Sequence, residues 1–157
     1  MYALAHYAGT QWNWELDPRL VQSVGDVLAG VAAAIDAIEA KGVATCVASS
    51  GGFDKMDVSL GVTGLGTRFE GRIFSASQVQ RGKPFPDLFL KAAIEMNEQP
   101  FDCVVVEDSV PGVQAARSAG MRVLGYVGAP YADRDAMAAA GAFLFGDMTQ
   151  LPALVQG

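Results

Sequence analysis

Cys103-Val104-Val105-Val106-Glu107-Asp108-Ser109-Val110-Pro111-Gly112 is the stretch on which the fold turns. Its unbroken apolar run, ending at Val106, reads as a strand buried on both faces, the habit of a parallel sheet. The run stops at two acids and a serine. A helical period through Val113 and Ala116 follows and closes at Ala119-Gly120, with glycine past the end of the helix. Strand, polar turn and amphipathic helix in succession make a β/α unit.

The same alternation extends in both directions. Upstream, Leu28, Val31, Ile35 and Ile38 recur at helical spacing and end at Lys41-Gly42. Val43-Ala44-Thr45-Cys46-Val47-Ala48 then reads as a second strand buried on both faces, broken by Ser49-Ser50-Gly51-Gly52. Phe53, Met56 and Leu60 share one helical face, and Gly71-Arg72-Ile73-Phe74-Ser75-Ala76 holds a short strand. Pro86 and Asp87 open a helix with the stripe Phe89, Ala92, Ala93 and Met96, since proline is tolerated in a first turn. Downstream, strands over 122–127 and 142–145 flank an alanine-rich helix that begins near Asp133. Residues 1–26, with Tyr7, Trp12 and Trp14, carry apolar mass but no clean period. The fold class is therefore α/β, a parallel sheet flanked by helices.

Composition narrows the function classes. The chain has 157 residues, 51% hydrophobic and 18% charged, which suits one globular domain. Seventeen acids against eleven bases give a net charge of -6, the wrong sign for a nucleic-acid partner. No run approaches the ~20 apolar residues of a membrane-spanning helix, and Met1-Tyr2-Ala3-Leu4-Ala5-His6 lacks the basic start of a secretion signal. Cys46 and Cys103 both sit in apolar runs and read as buried thiols of a reducing compartment. The expectation is a cytoplasmic domain with neither nucleic-acid nor membrane partners.

Open α/β sheets bind ligands beyond the carboxyl ends of their strands. Inspected there, the chain offers Ser49-Ser50-Gly51-Gly52, then Arg81-Gly82-Lys83-Pro84-Phe85-Pro86-Asp87, then Glu107-Asp108. A hydroxyl and free N–H groups at a helix start suit an anionic oxygen. A lysine held by a Gly-Lys-Pro turn adds a point charge, and paired carboxylates suit a hard divalent cation. Singly, each has an ordinary reading: Ser49 as a capping serine, Lys83 as a solvated surface lysine, Glu107 and Asp108 as first-turn acids. Together, at one sheet edge, they describe a phosphate held between serine, lysine and a magnesium ion.

With these motifs in order, the chain resembles the haloacid dehalogenase superfamily, in its branch of β-phosphoglucomutase-like sugar-phosphate phosphatases. The resemblance runs through Val47-Ala48-Ser49-Ser50-Gly51, Gly71-Arg72-Ile73-Phe74-Ser75, Gly82-Lys83-Pro84-Phe85-Pro86-Asp87 and Val104 to Gly112. It implies a Rossmann-like sheet and a Mg²⁺-dependent phosphatase or phosphomutase acting on a small sugar or polyol phosphate. It also implies that Ser49 and Lys83 are catalytic, that Ser50 and Gly51 join them in binding phosphate, and that Asp108 binds Mg²⁺ with Glu107 beside or behind it.

One motif of the family is missing. Its nucleophile is an aspartate at the end of the first strand, with a second aspartate two residues on followed by Gly-Thr, and no Asp-x-Asp precedes Ser49 here. Asp133-Arg134-Asp135 has the spacing but reads as the acids of a helix start. His6-Tyr7-Ala8-Gly9-Thr10 matches only in its Gly-Thr. The expectation is therefore a remnant of a cap domain and linker over 1–26, an incomplete core over 27–157 with its first strand missing, and little turnover by this chain alone. The gap would be closed by a separate fragment, by the chain's own N-terminus, or by self-association through exposed edges. The alternative is a non-catalytic phosphate-binding or interaction module.

Overall fold

A computed structural model describes residues 30–129 and 132–156, together with the backbone of Tyr2–Leu4. The sheet comprises β1 (Tyr2–Leu4), β2 (Thr45–Ser49), β3 (Ile73–Ser75), β4 (Val104–Glu107), β5 (Arg122–Tyr126) and β6 (Phe143–Phe145). Its order is β3-β2-β1-β4-β5-β6, and every neighbouring pair is parallel. The α/β parallel architecture expected from the sequence is the one observed.

The expectation of a missing first strand does not hold. Tyr2–Leu4 lies in the centre, pairing with Thr45–Val47 on one side and Val104–Val106 on the other. A vacant lane there would leave two buried ladders of N–H and C=O groups without partners, and the chain's own beginning supplies them. Of the segment expected to be a cap remnant, these residues belong to the core sheet, and the remainder, including Tyr7, Trp12 and Trp14, lies outside the described residues.

Helices cover both faces. The helix over residues 30–39 (α1), α2 (Phe53–Val62) and α6 (Leu151–Leu154) pack on one face through Ile35, Ile38, Val47, Met56, Val104, Val106 and Leu151. On the other, α3 (Asp87–Glu95), α4 (Val110–Ser118) and α5 (Arg134–Ala139) bury Phe89, Ala92, Val113, Ala116 and Met137 against Cys46, Ala48 and Val105. Alternate residues of β2 and β4 thus enter opposite cores, which is why both strands read as continuous apolar runs. Of the α2 stripe, Met56 and Leu60 are buried whereas Phe53 stays 40% exposed, because it begins the helix at the rim.

The helix boundaries follow local chemistry. Gly42 and Gly120 take positive φ just past α1 and α4, the left-handed conformation that ends a helix. Asp133 caps α5 by accepting the Ala136 N–H at 3.0 Å, and Asp135 sits in its first turn, so this pair is the helix start the sequence suggested. No helix among the described residues is long and apolar enough to cross a membrane.

Candidate active site

The sheet's strand order reverses at β1: the chain steps outward through β2 and β3, then returns to the far side for β4, β5 and β6. Such a switch point opens a crevice at the carboxyl ends of the strands beside it. Ser49 ends β2 on one flank and Glu107 ends β4 on the other. Ser49 is buried, and its Oγ accepts the Gly51 N–H at 3.1 Å. It is not the cap of α2; that position belongs to Gly52, which lacks a capping side chain. Ser50 is exposed and Gly51 half-buried.

Lys83 comes from the loop between β3 and α3. Its side chain is only 8% exposed, its Nζ forms an ion pair with Glu107 Oε1, and it lies 3.5 Å from the Ala48 carbonyl oxygen. The Phe89 ring centroid is 4.8 Å from the same Nζ. The surface reading of Lys83 is thereby excluded, since the ammonium spans from β2 to β4 and is screened from water by an aromatic face. The loop carrying it contains a cis Lys83–Pro84 peptide. Arg81 and Asp87 close it with hydrogen bonds of 3.0 and 2.7 Å, and the Arg81 guanidinium lies 4.6 Å from the Phe85 ring centroid. That pairing, with Arg81 as the main cause, holds the Asp87 carboxyl below its usual range.

Glu107 and Asp108 are adjacent but unlike. The Glu107 carboxylate is buried, with Oε1 accepting from Lys83 Nζ and Oε2 accepting the Asp108 N–H at 3.1 Å, the Ser109 N–H at 3.1 Å and the Ser109 hydroxyl at 2.7 Å. A carboxylate so fully engaged is an anchor for Lys83 and for the start of α4. Neither acid caps α4; Ser109 does, accepting the Gly112 N–H at 3.3 Å. Asp108 is half-buried. Burial first, and the neighbouring Glu107 charge second, push its carboxyl up to about 7, partly opposed by Lys83. An acid whose ionised form is that unfavourable is one a cation would relieve.

The structure therefore brings Ser49, Gly51, Lys83, Glu107 and Asp108 to one crevice. Among the described residues no group of three or more His, Cys, Asp or Glu gathers to form a cation cage. Two residues here escaped the sequence reading as site residues, Ser75 and Gly112; both act through hydrogen bonding or close packing that links distant positions, with no local sequence signal beyond a strand-end serine and a helical glycine. His6 to Thr10 lie outside the described residues.

A profile of the haloacid dehalogenase-like hydrolase family matches residues 9–120. The chain belongs to that family. Among its relatives, the 6-phosphogluconate phosphatase of Escherichia coli (strain K12) is 36% identical over 113 residues, which is 72% of this chain and 50% of the relative. The beta-phosphoglucomutase of Bacillus subtilis (strain 168) is 42% identical over 53 residues, 34% of this chain and 24% of the relative. The chain thus spans half or less of the length of these two curated relatives. A solved HAD family hydrolase from Deinococcus radiodurans R1, with bound phosphate and sodium, superposes with a TM-score of 0.74 at 29% identity, covering 89% of this chain and 68% of that one. The haloacid dehalogenase-like core accounts for the parallel sheet and for the crevice at its switch point.

Proposed function

We propose that this chain holds the phosphate- and Mg²⁺-binding half of a phosphoryl-transfer site, that of a phosphatase or phosphomutase for a small sugar or polyol phosphate. The observation that carries the reading is the buried Lys83–Glu107 pair, which holds an ammonium near the Ala48 carbonyl, one residue before Ser49, at the switch-point crevice. Phosphoryl transfer depends chiefly on positioning and on neutralising the equatorial oxygens. Ser49 would donate its hydroxyl to one such oxygen, Ser50 and Gly51 would contribute loop contacts, and Lys83 would offset negative charge. Relatives that are a phosphogluconate phosphatase and a phosphoglucomutase support the substrate class.

The donor set fits Mg²⁺, a cation that keeps several waters and needs only one or two protein carboxylates. Asp108 would hold it, with Glu107 behind as the anchor. When bound, the ion supplies a further positive charge on the phosphate oxygens. We place the protein in a reducing, cytoplasmic setting, which its two free buried thiols support.

The sequence places no Asp-x-Asp ahead of Ser49. That observation favours the second reading, a non-catalytic phosphate-binding module. Titration with inorganic phosphate in the presence of Mg²⁺, beside a p-nitrophenyl phosphate assay, separates the two. Saturable binding lost in Lys83→Met, without hydrolysis, is the expected result for the chain alone. Mg²⁺-dependent hydrolysis abolished by Lys83→Met would show that the chain supplies a nucleophile of its own. Absence of phosphate binding would sink both readings.

A further inference from the structure

Ser75 ends β3, is fully buried, and stands in register with Ser49. Its Oγ lies 2.8 Å from the Gly51 carbonyl oxygen, to which it donates, and accepts the Ser77 N–H at 3.1 Å, with Ser77 Oγ at 2.9 Å. Its own N–H donates to Gln78 Oε1 at 2.9 Å, completing a capping box that fixes the residue from both sides. One serine therefore ties the loop after β2 to the loop that leads to Lys83.

The Gly51 carbonyl shares a planar trans peptide with the Gly52 N–H, and the two point in opposite directions. Holding the carbonyl on Ser75 of β3, the outer strand, turns the Gly52 N–H away from β3. Gly52 is the N-cap of α2, and its N–H finds no acceptor among the described residues. We propose that Ser75 is a positioning residue of this site, aiming the Gly52 N–H at the anionic oxygen served by Ser49 and Lys83. The inference rests on the phosphate reading and adds to it a residue that touches no substrate. Without the Ser75 hydroxyl the Gly51–Gly52 peptide is free to rotate, since neither glycine has a Cβ to restrain it.

Amide NMR spectra of the full chain, titrated with inorganic phosphate in the presence of Mg²⁺, test it. Wild type is expected to show a saturable shift of the Gly52 amide. In Ser75→Ala, binding weakens about tenfold and that shift is largely lost, the loss expected for a misdirected charge-assisted hydrogen bond. Ser77→Ala keeps the Ser75–Gly51 bond and binds within about twofold of wild type. Gly52→Pro removes the N–H at φ -68°, a value proline adopts, and at a position where a Cβ meets nothing within 4 Å. It is expected to weaken binding as much as Ser75→Ala, and the double variant no further. If Ser75→Ala does not fold, Gly52→Pro decides alone, and wild-type affinity in it overturns the proposal. A wild-type chain whose amides ignore phosphate defeats the phosphate reading and this inference together. Saturable wild-type binding that Ser75→Ala and Gly52→Pro leave unchanged defeats this inference only.

Discussion

The Glu107 carboxylate lies where a side chain at position 112 would begin: a Cβ on Gly112 would stand 1.9 Å from Glu107 Cδ and 2.1 Å from each carboxylate oxygen. The glycine is what lets the acid tuck against α4 and reach Lys83, Asp108 and Ser109 together.

Replacing a helical glycine by alanine ordinarily adds about 1 kcal/mol of stability. Gly112→Ala is expected to reverse that sign and remove about 2–4 kcal/mol, because the displaced carboxylate abandons a buried cation and two buried N–H groups. Urea unfolding measures it. A variant as stable as wild type would mean that the carboxylate has somewhere else to go.

The two ends of the buried ion pair are not equal. Removing Glu107 leaves four donors without their acceptor, whereas removing Lys83 leaves the carboxylate with three. Glu107→Ala is therefore expected to cost about 3–5 kcal/mol, and Lys83→Met less, about 1–3 kcal/mol. Denaturant unfolding of both variants compares them, and the reverse ranking would contradict the anchor role of Glu107.

Asp108 sets a pH dependence. Burial raises its carboxyl from the ordinary value of 3.8 to about 7, so the folded chain holds that proton more tightly than the unfolded one. Stability from this group is complete below the unfolded value and is lost as pH rises toward about 7. Without metal, Asp108→Asn is expected to unfold at a higher temperature than wild type at pH 8, with the gap closing near pH 4. Added Mg²⁺ should raise the melting temperature of wild type at pH 8 and leave Asp108→Asn unchanged. Thermal scans across pH check both statements, and equal Mg²⁺ responses would remove Asp108 from the cation site.

The thiols are expected to be inert in the folded state. Burial, with the Cys103 charge second, pushes the Cys46 thiol up to about 12, and burial also raises Cys103. Thiolate is the reactive form. Iodoacetamide at pH 8 should label neither cysteine in native buffer and both in urea, as read by mass spectrometry. Rapid native labelling of Cys46 would show that β2 opens readily.

Much of this was legible in the sequence where chemistry is local. β2 and β4 announced themselves because both faces of each are buried, and Asp133 and Gly120 marked helix ends through side-chain capping and positive φ. Ser49, Lys83 and Asp108 were read as candidates because strand ends in a parallel sheet converge on one crevice. β1 was not, since the place of Tyr2–Leu4 is set by the two ladders it completes. The role of Glu107 was read only in part, because its partner Lys83 is 24 positions away. The clasp of Ser75 on Gly51 joins positions separated by the same interval, with no periodicity to betray it.

The central place of β1 has a mechanical consequence. β1 divides the sheet into two leaves, β2–β3 on one side and β4–β6 on the other. Lys83, carried by the first leaf, grips Glu107 on the second and so bolts the leaves together at their open end. The pair that holds the ammonium at the crevice is also a fastener of the molecule, and a substitution of Lys83 loosens the fold along with the proposed site.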